Sequence, residues 1–339
     1  MSRAAAAAFL AVACLLGAAD AGATPRCMPA VVGRDSWCDV PGARLNYIDW
    51  GGQGTPLILL SGLGDTAHVF DDLAPRLTVG HHVYAFTRRG FGSSRAFRGG
   101  YDARTLTSDI TALMDALGIA RADFVGHSVA GEELTALAST VPGRVRRLVY
   151  LDAAYDRSGV AAWIDKDPGN PRDPSPAALK DFGTFIAWRQ RSLGISSFAV
   201  GNDIRSGYRP GQHGLVSMTP GNVVHAVIQG DAAAHPDYAR VRSPAMALYS
   251  PKDKLEQLPP DASPARRRAA LAFSIAVVRP WMLAEKARFE KSIRCGVAWE
   301  IKGAGHYLFL ERPDDTAAWI RSFLSSSVPC KWSAGDTKR

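Results

Sequence analysis

The chain lacks most features of metal-binding or membrane-spanning proteins. Its 339 residues include five cysteines. None forms a C-x-x-C pair with a nearby histidine, which argues against structural zinc, and we expect no metal or organic cofactor. Beyond the first segment no apolar run reaches 18 residues. We therefore expect no stable membrane insertion of the remaining chain.

Concentrated charge is also scarce. The formal net charge is +8, but the basic residues are scattered and the one run of three is Arg266-Arg267-Arg268. No nucleic-acid motif accompanies this run, so we interpret the charge as a solvated basic surface and expect no nucleic-acid partner. Hydrophobic residues make up 47% of the chain, which is enough for one sizeable core.

Residues 1–23 have the pattern of a secretory signal peptide. Arg3 gives a positive start, residues 4–19 are apolar, and Ala21-Gly22-Ala23 offers the small residues that a signal peptidase reads. The apolar run is about sixteen residues long, shorter than the roughly twenty of a membrane span. We expect cleavage after Ala23 and a secreted or periplasmic protein, with an uncleaved anchor as the alternative.

Cysteine usage agrees with export. Loss of the first segment would leave an even set: Cys27, Cys38, Cys295 and Cys330. Such a set indicates disulfides, and four cysteines permit three connectivities. The local pairs Cys27–Cys38 and Cys295–Cys330 are favoured because each would tie down a terminal segment, stabilising on the order of 3 kcal/mol. Four buried free thiols are the alternative.

From about residue 43, short apolar strands alternate with amphipathic helices. The strand patterns are 44–49, 56–60, 82–87, 122–125, 145–151, 245–249 and 297–301. This alternation predicts an α/β fold with a mostly parallel sheet and helices on both faces. The alternation stops between about residues 153 and 242, where Gly, Pro and Asp are frequent. We interpret that stretch as a mainly helical cap insertion within one domain of residues 24–339.

A serine follows one of these strands at a tight turn. The strand ends at Gly126, Ser128 follows, and a helix begins at Val129. A sharp strand-to-helix turn exposes the serine hydroxyl and points the helix N-terminus towards it. Ser128 is therefore the predicted nucleophile, and the N–H of Val129 is a predicted oxyanion donor. The alternative is a serine that only caps the helix.

The helix itself begins with two acids, Glu132 and Glu133. Acids in a first turn stabilise the helix dipole. A contact of one of them with the cap insertion or with the catalytic histidine is the alternative.

Other strand ends supply the remaining groups. Ser61-Gly62-Leu63-Gly64 follows the strand expected beside the Ser128 strand, and its glycines would let the Leu63 N–H serve as a second oxyanion donor. A serine hydroxyl is a weak nucleophile until a base takes its proton. His306 follows the last strand, and we predict it as that base. We expect the side chain of His127 to point elsewhere.

Two carboxylates could orient the His306 ring. Asp253 follows the strand 245–249 and precedes His306 in the chain, so Asp253 is the predicted triad acid. Asp152 ends the strand 145–151 and is the alternative for this role. A carboxylate at that position could equally cap the following turn.

Together these motifs resemble the α/β-hydrolase superfamily. They are residues 61–64, 88–94, 126–131 and 303–306. The resemblance covers roughly residues 45–324 and implies an acyl-enzyme mechanism on a small-molecule acyl substrate, with no cofactor. A serine nucleophile is unlike the dehalogenase and epoxide-hydrolase branches, which need Asp. Ala130 replaces a usual glycine, Ser61 a usual histidine and Thr87 a common Asp, which loosens any subfamily assignment.

The predicted function is hydrolysis of carboxylic esters or related small acyl compounds. C–C bond hydrolysis, lactone opening and cofactor-free halide peroxidation use the same triad and stay open. A non-catalytic ligand-binding protein is an alternative of another class, and a peptidase would need a charged site that the sequence does not indicate. Six aromatic residues of the insertion are candidates for a lid: Trp163, Phe182, Phe185, Trp188, Phe198 and Tyr208.

Overall fold

The computed structural model describes residues 24–170 and 173–331. The predicted signal peptide, residues 1–23, lies outside the described residues. The strands are β1 Arg26–Cys27, β2 Asp35–Val40, β3 Ala43–Gly51, β4 Thr55–Leu60, β5 His81–Phe86, β6 Arg95–Ala96, β7 Ala122–His127, β8 Val145–Leu151, β9 Tyr208–Gly211, β10 Gly214–Ser217, β11 Ala245–Tyr249 and β12 Gly296–Glu300.

The helices alternate with these strands along much of the chain. They are α1 Ala74–Leu77, α2 Ala103–Ala116, α3 Ala130–Thr140, α4 Phe182–Leu193, α5 Phe198–Gly207, α6 Gly221–Ala233, α7 Pro264–Phe273, α8 Arg279–Ser292, α9 Leu308–Glu311 and α10 Pro313–Ser325. A π-helical turn, Ser274–Val278, joins α7 to α8.

One sheet organises the molecule, in the order β1-β2-β3-β5-β4-β7-β8-β11-β12, with β6 beside β3. Six neighbouring strands of this sheet run parallel: β5, β4, β7, β8, β11 and β12. An antiparallel edge is added by β1, β2, β3 and β6. The predicted fold class, a mostly parallel sheet with helices on both faces, is confirmed.

The central strand β4 is continuously apolar because both of its faces are buried. Ile58 and Leu60 pack on one side with residues of α2, α3 and α8. Leu57 and Leu59 pack on the other side with residues of α1 and α10. Side chains of a strand alternate between faces, and both faces of a parallel sheet are covered, so every position must be apolar.

Parallel strands bring their carboxyl ends to one edge of the sheet. The turns after β4, β7, β8, β11 and β12 therefore meet there, although more than 200 residues separate the first turn from the last. Ligand sites in open α/β sheets lie at this edge. The predicted site residues follow these same strands.

The predicted insertion occupies the chain between β8 and β11. It contains α4, α5, α6 and a two-stranded hairpin of β9 and β10. Helix α5 is held to the main domain by Asp203, which accepts hydrogen bonds from the Thr66 amide at 2.7 Å and from its hydroxyl at 2.8 Å. These contacts fix the insertion beside the turn that follows β4.

Two disulfides tie down the ends of the described chain. Cys27 and Cys38 are directly opposite each other on β1 and β2, and Cys295, just before β12, is bonded to Cys330. These are the local pairs that the sequence favours, and the prediction is confirmed. Within residues 24–170 and 173–331, no helix is long and apolar enough to span a membrane.

Candidate active site

Ser128 lies on a strained turn between β7 and α3. Its φ of 57° is in the left-handed region, which costs energy for a residue with a Cβ. The Ser128 amide donates to the Leu151 carbonyl at 3.2 Å, which fixes the turn against β8. Val129 is the N-cap residue of α3, so the helix begins directly at the serine.

Small residues let α3 pack close behind this turn. A Cβ at Gly131 would overlap the Ala153 carbonyl oxygen, so the helix needs glycine here for close approach to the chain after β8. The methyl group of Ala130 is fully buried without such an overlap. The departure from the usual glycine at 130 is thus accommodated, and the position that cannot change is 131.

His306 reaches Ser128 from the loop after β12. The Ser128 Oγ lies 3.0 Å from the His306 Nε2. The His306 amide donates to Glu256 Oε2 at 2.9 Å, and its carbonyl accepts from the Nε2 of His127 at 3.1 Å. His127 is fully buried with its ring centroid 4.5 Å from that of His306. It therefore supports the loop and does not face the serine hydroxyl.

The carboxylate beside His306 is Asp152. The His306 Nδ1 lies 2.5 Å from Asp152 Oδ2. The favoured candidate, Asp253, is exposed, and within the described part of the chain it makes no hydrogen bond or ion pair. The loop after β11 turns Lys252 towards the site and leaves Asp253 in solvent. The expectation for Asp253 is therefore corrected, and the alternative that the sequence offered, Asp152, occupies the position.

Asp152 accepts four hydrogen bonds although it is fully buried. Its Oδ1 accepts from the Tyr155 hydroxyl at 2.5 Å and the Ser250 amide at 3.1 Å. Its Oδ2 accepts from His306 and from the Lys252 ammonium, the latter at 2.6 Å. Burial alone would raise the pKa of Asp152, but the Lys252 charge and the His306 hydrogen bond hold it well below its usual range.

The environment of His306 favours a neutral ring. Burial is the largest cause that lowers the pKa of His306, to about 4, and His127 and Lys252 act in the same direction. The Asp152 carboxylate opposes them. A neutral imidazole can accept a proton from a serine hydroxyl, so this environment keeps the ring in the form that a general base requires.

The predicted oxyanion donors belong to the turns after β4 and β7. Leu63 and Val129 belong to one small apolar cluster with Phe91. Within residues 24–170 and 173–331, neither the Leu63 amide nor the Val129 amide donates to a protein acceptor. Both N–H groups are therefore available to a ligand. A Cβ at Gly62 would come within 2.8 Å of the His127 ring, which explains the glycine in this turn.

A buried ion pair holds that turn against α3. Arg88 donates to the carbonyls of Ser61 at 2.9 Å and Gly62 at 3.2 Å, and its Nε donates to Glu133 Oε1 at 2.7 Å. Arg88 and Glu133 are both 3% exposed. These contacts hold the carbonyls of the turn that carries the Leu63 amide. Glu133 thus has a specific partner in addition to any effect on the helix dipole.

Glu132 faces the insertion. It lines a very small cavity, of about 10 Å³, together with Glu133 and with Asp231 of α6. Burial, followed by the charge of Asp231, raises the pKa of Glu132 to about 7. The alternative that one of these two acids meets the cap therefore fits Glu132.

A cavity of about 230 Å³ opens beside His306. Its walls come from the insertion, including Trp163 and Ile164, and from the chain after β11, including Leu255 and Val278. Of the six aromatic residues considered for a lid, Trp163 alone lines this cavity.

The other five aromatic residues lie elsewhere in the insertion. Phe185 packs on Trp188 and Tyr208, with ring centroids 5.9 and 4.8 Å away. Phe182 belongs to the same apolar cluster. Phe198 is 71% exposed. Most of these rings therefore pack the insertion onto the apolar cluster of one sheet face and do not line the cavity beside His306.

Sequence reasoning missed three charged residues of the site. Lys252 and Glu256 lie in a loop that carries no motif, so no local signal marks them. Arg88 was visible as part of the Arg-Arg-Gly segment 88–94, but its ion pair with Glu133 required the fold. In the described ranges no group of three or more His, Cys, Asp or Glu side chains is arranged to hold a metal ion.

The fold and this site together define a class of protein. A mostly parallel sheet that presents a serine on a strained strand-to-helix turn, with histidine and carboxylate from later strands, is the arrangement of α/β-hydrolases. The chain belongs to the alpha/beta hydrolase family, whose model matches residues 57–319.

Individual relatives cover less of the chain. It is 35% identical over 115 residues to a non-heme chloroperoxidase of Streptomyces lividans, a match that spans 33% of this chain and 42% of the relative. It is 31% identical over 187 residues to non-heme chloroperoxidase CPO-A1 of Kitasatospora aureofaciens, which covers 53% and 64% of the two chains. The solved structure of E-2-(acetamidomethylene)succinate hydrolase is 23% identical with a TM-score of 0.63, covering 89% of this chain and all of that one.

Proposed function

We propose that this protein is a serine hydrolase that cleaves carboxylic esters or related small acyl compounds. The observation that carries the proposal is the continuous hydrogen-bonded chain from Ser128 Oγ through His306 to Asp152, at 3.0 and 2.5 Å. A nucleophile, a base and a carboxylate that orients the base are the minimum set for acyl transfer by a serine.

The chemistry follows from this geometry. Ser128 Oγ attacks the acyl carbonyl while His306 Nε2 takes the hydroxyl proton, and Asp152 stabilises the imidazolium that forms. The Leu63 and Val129 amides donate to the developing oxyanion. The imidazolium then gives its proton to the leaving alcohol, and a water molecule activated by the same ring releases the acid from Ser128.

We propose that the substrate enters the cavity beside His306, which favours a small substrate. Its volume of about 230 Å³ is below the roughly 300–1,000 Å³ of sites for drug-sized ligands. We therefore expect short-chain p-nitrophenyl esters to be better substrates than long-chain ones. High activity on emulsified long-chain lipid with little on short esters would contradict this size limit.

The central test is covalent labelling of Ser128. A fluorophosphonate probe should label the folded wild-type protein at Ser128, and an ester and lactone panel should identify the acyl class. Ser128→Ala should abolish labelling and lower kcat by at least about 10⁴-fold on any substrate found. No labelling of folded wild-type protein, or labelling that survives the substitution, would refute the proposal.

Halide peroxidation is a second candidate, favoured by the names of the two chloroperoxidase relatives. Peroxide-dependent bromination of a phenolic dye, measured in acetate, tests it with Ser128→Ala as the control. Bromination that depends on Ser128 and exceeds ester hydrolysis would favour this activity over the first.

We further propose that the mature protein is secreted or periplasmic. The two disulfides and the pattern of residues 1–23 support export. Mass spectrometry of exported protein should give a chain that begins at Thr24. An intact Met1 in exported material would overturn the cleavage site.

A further inference from the structure

Lys252 touches the same carboxylate oxygen as His306. Its Nζ lies 2.6 Å from Asp152 Oδ2, and the His306 Nδ1 lies 2.5 Å from that oxygen. The ammonium and the ring nitrogen are therefore no more than about 5 Å apart. In the part of the chain that the structure describes, Lys252 is the only Lys or Arg that contacts Asp152.

The loop after β11 is built to present this lysine. Lys252 has a φ of 58°, in the left-handed region that a side chain rarely adopts. Its carbonyl accepts a hydrogen bond from the Ser274 hydroxyl at 2.9 Å, and Arg279 donates to the carbonyl of Pro251. The side chain is 11% exposed, so its charge is poorly screened by water.

A second carboxylate faces the lysine. Glu256 Oε2 lies 3.7 Å from Lys252 Nζ and accepts from the His306 amide. Its Oε1 accepts from the Ser250 hydroxyl at 2.6 Å. Two acids thus lie close to one histidine in a buried region, and both face the Lys252 ammonium.

The other groups around Asp152 and His306 come from β7 and from the chain after β8 and after β12. The His127 ring of β7 and the Tyr307 ring pack against His306. The Tyr155 hydroxyl donates to Asp152, and the positive charge of Arg157 also acts on Lys252. Arg157 has its own partner in Asp231, at 3.4 Å. Apart from His306 itself, Lys252 is the only group of the described residues that donates to Asp152 Oδ2.

We propose that Lys252 is a positioning residue of the hydrolytic site: its ammonium keeps Asp152 charged beside Glu256 and weakens the hold of that carboxylate on the His306 imidazolium. This inference rests on the proposed function of Ser128, His306 and Asp152. The Asp152 oxygen that accepts from His306 also accepts from a cation, so the carboxylate charge is shared between the two.

The consequence is a base that stays neutral in acid. An imidazolium at His306 would form about 5 Å from a fixed positive charge, and a like charge at such a distance shifts a pKa by roughly one unit or more. The burial of His306 lowers its pKa in the same direction. Lys252 thus extends the working range of the base towards low pH, and its removal should shorten that range.

The test compares variants of Lys252 by two measurements. Lys252→Met removes the charge and the donor, Lys252→Gln removes only the charge, and Lys252→Arg keeps both. Lys286→Met is the control, because Lys286 pairs with Glu290 on α8. The His306 Cε1–H resonance, identified by its loss in His306→Gln, is titrated by NMR, and the acid limb of kcat/KM is measured on the best ester.

We expect Lys252→Met and Lys252→Gln to raise both midpoints by about one pH unit or more. Lys252→Arg and Lys286→Met should stay within about 0.3 units of wild type. Circular dichroism checks the fold, and Lys252→Gln decides the question if Lys252→Met does not fold. Midpoints that stay fixed or fall in the folded neutral variants would reduce Lys252 to a structural residue and overturn the proposal.

The two proposals fail in different ways. The NMR titration needs no turnover, so it measures the effect of Lys252 on His306 even in a protein that no ester substrate fits. Absent labelling of Ser128 refutes the serine hydrolase and leaves the titration result in place. An unchanged titration in a protein that is labelled refutes only the role of Lys252.

Discussion

The two nitrogens of the His306 ring face very different surroundings. On the hydroxyl side, Nε2 meets Ser128, which one continuous strand, turn and helix hold in place. On the carboxylate side, Nδ1 meets Asp152, whose oxygens also accept from Tyr155, Ser250 and Lys252. The first side is built by local backbone geometry. The second is built by groups from two chain segments, those after β8 and β11, and the Asp152 charge is shared among several donors.

This difference predicts which substitutions should affect only their immediate neighbours. A change on the hydroxyl side removes one partner or strains one turn. A change on the carboxylate side redistributes charge among several buried groups. The following experiments test this contrast.

The largest expected effect is a loss of kcat/KM when Asp152 is substituted, compared with the same substitution at Asp253. Asp152→Asn should lower kcat/KM by about 10³–10⁴-fold, because an amide cannot stabilise the imidazolium and can favour the wrong ring tautomer. Asp253→Asn should stay within about threefold, because that side chain is exposed. Steady-state kinetics on one short ester measure both. An equal loss in Asp253→Asn would mean that the loop after β11 rearranges in the working enzyme.

The next effect concerns the ion pair behind the hydroxyl side. Glu133→Gln should lower the free energy of unfolding by about 3–5 kcal/mol, because it leaves the buried Arg88 charge without its partner. Urea denaturation at pH 7 measures the loss. Fluorophosphonate labelling should also slow, since Arg88 pins the carbonyls of Ser61 and Gly62. A loss below about 1 kcal/mol would show that Arg88 finds water or another acceptor.

Glu132→Gln is the matched control for that measurement. Burial, followed by Asp231, raises the pKa of Glu132 to about 7, so the charged form opposes folding and its cost appears as pH rises through 7. The variant should therefore lose less than about 1 kcal/mol at pH 5 and gain relative to wild type at pH 8. A loss of stability in Glu132→Gln that grows towards pH 8 would contradict the inference that the charged form of Glu132 opposes folding.

A smaller effect should appear in the pH profile of the wild-type enzyme. The pKa of His306 is lowered to about 4, mainly by burial, so the neutral base persists in acid. More than half of the plateau kcat/KM should remain at pH 5, where a histidine of ordinary pKa would be about 3% neutral. Buffers of constant ionic strength test this between pH 3.5 and 8. A midpoint near 6.5 would show that burial does not lower the pKa of His306 as inferred.

The smallest effect is expected at Ala130. Ala130→Gly restores the usual glycine of the turn but removes a buried methyl group at the start of α3. Stability should fall by about 1 kcal/mol, while kcat/KM stays within about twofold. Thermal melting and ester kinetics measure the two. A change of tenfold or more in kcat/KM would mean that this methyl group sets the serine geometry.

The hydroxyl side could be predicted from the sequence because its signals are local. Ser128 follows a short buried strand and precedes small helix residues, so a single window contains the whole motif. His306 follows the last strand, where the parallel sheet requires its loop to reach the same edge. The fold class followed from the alternation of strands and helices and is confirmed.

The carboxylate side could not be predicted because both candidates follow strands that end at the same edge of the sheet. Leu151 and Leu248 are paired on adjacent parallel strands. Asp152 follows β8 directly, whereas Asp253 follows β11 after residues 250–252. What decides between them is the backbone beyond each strand. Asp152 and Lys252 both adopt positive φ, of 46° and 58°, and those angles turn their side chains into the site. No residue type in either loop signals such angles.

The bond between Cys295 and Cys330 has a topological consequence. The disulfide joins two cysteines that are 35 positions apart and closes the chain between them into a covalent ring. This ring contains β12, His306 and α10. A single cut of the backbone inside this ring leaves one molecule, with the histidine still joined to the rest of the chain. The two fragments part only when a reductant opens the bond, so proteolytic nicking and loss of the base are separate events.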